Sequence, residues 1–142
     1  MCWTSSKTPV LKKAEEPIPV FKILYENMDS AYMTFRYHLH TKYHQKLEAP
    51  RITCSRCYIY EGIHSYDAET SIIIDHPNDS NFFVIISKKD YLSLDTFSKG
   101  PYIQVMGVIP EGAEYYRNEW GEIVSNSIIL TEIKEIICRN IV

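Results

Sequence analysis

The chain has no apolar run that approaches the ~20 residues of a membrane-spanning helix. Its aliphatic stretches at residues 72–74 and 128–130 are far shorter. The opening MCWTSSKTPV has none of the roughly 7–15-residue apolar core of a secretory signal. There is no basic surplus either, since 15 Lys and Arg face 18 Asp and Glu, for a net charge of −3. That balance argues against the basic stripe of a nucleic-acid binder, although a local patch from Arg36 to Arg56 stays open. Internal repeats, low-complexity tracts and a linker between two domains are all lacking. Cysteine is sparse: Cys2, Cys54, Cys57 and Cys138. At 142 residues the core does not need disulfides, so these are expected to be free thiols. No nucleic acid, membrane or cofactor is expected, and the cytoplasm is the expected location.

What is present favours strands. Tyrosine occurs 11 times, and it suits half-buried pleated surfaces as well as contact surfaces. Pro9, Pro17 and Pro19 make residues 1–19 an N-terminal arm, docked through Trp3, Val10 and Leu11. Residues 20–25, VFKILY, read as the first strand. Residues 31–40 alternate apolar and polar at period two, the clearest strand pattern in the chain. Residues 41–51 read as loop and 52–61 as strand. Residues 68–74 read as either a short helix or a strand. Residues 81–87 and 102–109 read as strands, and 88–100 as a loop with one helical turn at most. Residues 123–124 and 127–137 supply the last strands. The expected fold is therefore α+β: a β-rich single domain (residues 20–142) with a mostly antiparallel sheet and one or two short helices.

The closing block, residues 105–130, reads VMGVIPEGAEYYRNEWGEIVSNSIIL. Ile109-Pro110-Glu111-Gly112, Glu114-Tyr115-Tyr116, Gly121-Glu122 and Ser125-Asn126-Ser127-Ile128-Ile129 resemble the C-terminal I-P-x-G-x-x-Y-Y and S-x-x-I-I motifs of a family of short proteins. That family is found in bacteriophages and Bacteroides-type genomes. The opening Met1-Cys2-Trp3 with Ser5, Ser6 and Lys7 resembles its M-C-[LW]-x-S-K start. Val20-Phe21-Lys22 resembles its first strand, and Gly62-Ile63-His64-Ser65-Tyr66 its G-F-H-S-Y element. These anchors fall in the family's order along most of the chain. After its second strand the family carries a glycine, where this chain has His40-Thr41-Lys42. The resemblance implies phage or mobile-element origin and brings no activity with it.

Candidate ligand-binding residues are Lys22, His64, Ser65, Tyr66 and Glu122. Histidine can serve as acid, base or donor near neutral pH, and a Ser-Tyr pair can position phosphate or ribose hydroxyls. The same residues invite comparison with ADP-ribosyltransferase scaffolds, in which a late carboxylate stabilises an oxocarbenium-like ribose. The Ser-Thr-Ser triplet and Glu-x-Glu of those enzymes are absent here. Cys54-Ser-Arg-Cys57 is a lone CxxC, and a zinc site would need two more ligands from His38, His40, His44 or His64. Cys2 would become an N-terminal nucleophile if Met1 were removed. Tyr115, Tyr116 and Trp120, grouped around Arg117, are candidate protein-contact residues. With no complete catalytic constellation, the expected function is a non-enzymatic binding module for a protein partner or small ligand. The alternative is an NAD-using transferase or a degenerate relative.

Overall fold

The computed structural model describes residues 3–5, 7–30, 35–53, 56–75, 81–86, 93–98, 101–118 and 121–136. None of these is helical. Their strands are β1 (Trp3–Ser5), β2 (Lys12–Lys13), β3 (Ile18–Tyr25), β4 (Lys42–His44), β5 (Arg51–Ile52), β6 (Tyr58–Tyr60), β7 (Ile63–Asp67), β8 (Ser71–Asp75), β9 (Asn81–Ile86), β10 (Ser93–Ser98), β11 (Tyr102–Ile109), β12 (Glu114–Arg117), β13 (Glu122–Ser125) and β14 (Ser127–Ile136). Eight of them form one antiparallel sheet in the order β2-β12-β13-β7-β3-β11-β14-β4.

This sheet is curled. β13 and β14 stand four places apart in the order, yet Asn126 alone joins them. In a flat sheet they would lie about 19 Å apart, whereas a one-residue connection reaches only about 7 Å. The curl makes an interior. Along β3, Val20 and Leu24 point inward to a cluster with Ile63, Val105, Ile109, Ile123, Ile128 and Leu130. Phe21 and Ile23, on the alternate face, point outward. Apolar residues on both faces mark a strand that is covered twice.

The outer covers are two three-stranded sheets. The β8-β9-β10 meander lays Phe82, Val84 and Phe97 against Phe21 and Ile23. The β1-β6-β5 sheet contributes Tyr60, which packs on Val124 with Leu47, Tyr58 and Tyr116 around them. Gly112 (φ 86°) and Gly121 (φ 94°) hold the turns of the closing block. His40 has φ 59°, a left-handed residue in the turn that leads into β4.

Several expectations need correction. The one or two short helices have no counterpart among the described residues; residues 68–70 form a turn and β8 follows. Residues 31–34 lie outside the described residues. Residues 35–40 are irregular apart from the Asp29–Arg36 bridge. Met28 at φ 73° doubles the chain back on the end of β3. Phe35 and Tyr37, two aromatics of the period-two pattern, then pack edge to face with each other and with Tyr43 at 4.8–5.4 Å. The segment 41–51 contains β4 and the start of β5, and 88–100 contains β10. The segment expected as an arm supplies β1, β2 and the buried Ala14, while Val10 and Leu11 are 61% and 50% exposed. Pro19 lies inside β3 because its missing N–H falls where the β3–β7 ladder ends, and its carbonyl accepts from Ala68 N–H.

Candidate functional site

β3 and β7 run side by side for only two residue pairs, Val20–Asp67 and Phe21–Tyr66. One step further the ladder would use the His64 carbonyl. That carbonyl instead accepts from Lys22 Nζ at 2.5 Å. The ammonium thus sits in a split of the sheet wall, beneath the Tyr37 ring at 5.3 Å from its centroid. Lys22 is on the inward face of β3, opposite Val105, among aliphatic side chains. Burial there lowers its pKa from 10.5 to about 8. Burial, reinforced by the Lys22 charge, holds His64 down to about 3, so its imidazole is neutral at physiological pH. Tyr37 is pushed up to about 12, by burial first and by Tyr43 second.

The candidates Lys22, His64, Ser65, Tyr66 and Glu122 therefore fall on three neighbouring strands, β3, β7 and β13. They do not share a face. In register Ser65 lies beside Ile123 and faces inward, as Lys22 does. The Ser65 hydroxyl is buried and has no hydrogen-bond partner among the described residues. Tyr66 faces outward and packs on Phe21 at 5.3 Å. Glu122 is paired with Tyr66 and shares its face. The Glu122 N–H donates to Asn118 Oδ1 at 3.0 Å, and Asn118 Nδ2 donates to Glu122 Oε1 at 3.4 Å. Glu122 begins β13 and is buried. Lys22 and Glu122 thus leave the sheet on opposite sides.

A second cluster surrounds β2. A cleft of about 730 Å³ lies between the chain at 12–19 and the ends of β7 and β12. Its floor is an ion pair: Arg117 Nη1 donates to Asp67 Oδ2 at 2.5 Å, while Asp67 Oδ1 accepts from Glu69 N–H at 2.8 Å. Tyr115 lines this cleft. Tyr116, on the other face of β12, lines a cleft of about 340 Å³ with Leu11, His44 and Asn126. A third hollow, of about 380 Å³, lies over Leu11, Lys12 and Lys13. Asn126 braces this region. Its N–H donates to the Glu114 carbonyl, its Oδ1 accepts from Glu114 N–H, and its carbonyl accepts from Gln45 N–H.

Trp120 and Cys54 lie outside the described residues, as do Cys2 and Cys138. Thr53 N–H donates to the Cys57 carbonyl at 2.7 Å and Arg56 takes φ 61°. No protein-family model, curated protein or solved structure matches the chain. Sequence reasoning missed Tyr37 over Lys22, the Arg117–Asp67 pair and the Lys12–Lys13 edge. The sequence signal for the last was a pair of lysines between prolines.

Proposed function

We propose that this chain is a non-enzymatic binding module that contacts a protein partner through the surface around β2 and β12. The observation that carries this reading is the convergence of three hollows on residues 11–13. Val10 and Leu11 are left exposed beside them. Large aliphatics beside a sheet edge and flanked by tyrosines make the kind of patch that partners cover. Tyr115 and Tyr116 present one aromatic to each side of β12, and tyrosine is a favoured contact anchor. The charged groups that ring the larger cleft, among them Lys12, Glu15, Glu16 and Glu69, would supply the polar rim. The same proposal places the protein in the cytoplasm and gives it phage or mobile-element origin, in keeping with the resembled family.

The test is selection of binders from a random peptide library on the full chain, followed by mapping of amide shifts. Binders that perturb residues 10–13 and 114–117 are expected, with binding lost in Tyr116→Ala. Binders that perturb only residues around Lys22 and Ser65 would move the site elsewhere. A library that yields none would remove the reading.

A further inference from the structure

We infer that the open edge of β2 takes up an extended acidic segment of a protein partner as an added strand, anchored on the backbone of Lys13. This rests on the binding-module reading above and specifies its mode. β2 pairs with β12 in the register Lys13–Glu114 and Lys12–Tyr115. Ala14 turns its backbone toward β12, since its N–H donates to the Ala113 carbonyl and its carbonyl accepts from Gly112 N–H. In an antiparallel ladder residues alternate, one bonding to the left neighbour and the next to the right. Lys12 therefore also faces β12, while Leu11 and Lys13 present N–H and C=O to the opposite side. β12 is the one ladder partner of β2 among the described residues, and among them the opposite edge is unpaired.

The occupant follows from the charges on β2 itself, Lys12 and Lys13; Glu15, Glu16 and Glu69 lie beyond it around the larger cleft. Neither Lys12 nor Lys13 makes an ion pair among the described residues. An incoming strand would place alternate side chains beside Lys12 on one face and beside Leu11 and Lys13 on the other. Acidic residues alternating with aliphatic ones fit that pattern. Two lysines on an edge repel an identical edge, which disfavours a second copy of this chain. Strand addition supplies affinity through the main chain and specificity through alternate side chains.

The experiment measures fluorescence anisotropy of two labelled peptides, one alternating Glu and Val and one alternating Lys and Val, against the full chain. The acidic peptide is expected to bind at least about tenfold more tightly. Lys13→Pro removes one outward N–H and leaves the β12 ladder intact. It should weaken the acidic peptide about tenfold, whereas Lys13→Ala should weaken it less. A second readout needs no variant: the Lys13 amide should exchange rapidly in the free protein and become protected with the acidic peptide. Equal binding of the two peptides, binding of neither, or an unprotected Lys13 amide would overturn the inference. So would a dimer in solution that Lys13→Pro dissolves, because the edge would then belong to a second copy. Library binders that still shift residues 114–117 in Lys13→Pro would leave the binding module standing and remove strand addition alone.

Discussion

At the scale of single residues, Lys22 and His64 govern how stability depends on pH. His64 is held neutral down to about pH 3 in the fold but takes a proton near 6.5 once unfolded. The unfolded state binds more protons between those values, so stability falls as pH drops from 6.5 toward 3. His64→Gln should remove a loss of several kcal/mol, read as a flatter acid limb in urea midpoints. Lys22 works at the other end. Its pKa is about 8 folded against 10.5 unfolded, so the unfolded state again holds more protons as pH rises between them. Stability should climb from pH 8 toward 10 by about 3 kcal/mol. Above pH 10 Tyr37 reverses the trend, because its phenol keeps its proton to about pH 12 in the fold and ionises near 10 unfolded. Lys22→Met should flatten the rise and leave the fall; a rise that survives the substitution would assign it to another group.

At the scale of elements, the β11–β14 seam depends on close backbone approach. Register shifts interrupt it between Gln104 and Val105 and again between Met106 and Gly107. A Cβ at Gly107 would stand 2.5 Å from the Ile129 carbonyl oxygen and 3.0 Å from Leu130 Cδ2. Gly107→Ala should therefore push the two strands apart and cost about 1–3 kcal/mol, seen as a lower melting temperature. An unchanged melting temperature would mean that the irregular ladder yields without strain. The strands themselves were largely legible in the sequence. The reading of 102–109 coincides with β11, and the last strands fall within β13 and β14 up to residue 136. The strand expected at 31–40 was not found over 35–40, because alternation there records aromatic packing on an irregular return rather than a pleat. β2 and β4 were invisible because two or three mostly polar residues carry no period; a neighbouring strand makes them strands.

At the scale of the whole molecule, two clusters lie on opposite faces of the wall made by β3, β7 and β11. The meander is attached through the outer one, where Phe82 stacks on Phe97 at 5.2 Å and meets Tyr102 edge-on at 5.7 Å. Phe82→Ala should cost about 3–5 kcal/mol. Hydrogen exchange should show the loss first in the amides of 81–86 and 93–98, with β3 and β11 keeping their protection longer. Simultaneous loss in all of these strands would instead make the meander and the curled sheet one cooperative unit.

Of the candidate site, the sequence supplied the residues but not their directions. It marked Lys22, His64, Ser65, Tyr66 and Glu122, and these do fall on adjacent strands. Parity and register then separate them, because a pleated strand sends successive side chains to opposite faces and register is a property of pairs. By itself the sequence determined a β-rich domain dominated by antiparallel strands, through the local rules of apolar alternation, proline and turn residues. The tertiary structure alone decided that the sheet curls about a one-residue joint at Asn126, that Lys22 enters a gap in its wall, and that β2 has one edge unpaired among the described residues. Each of these depends on which distant strands lie side by side, and no local pattern encodes that.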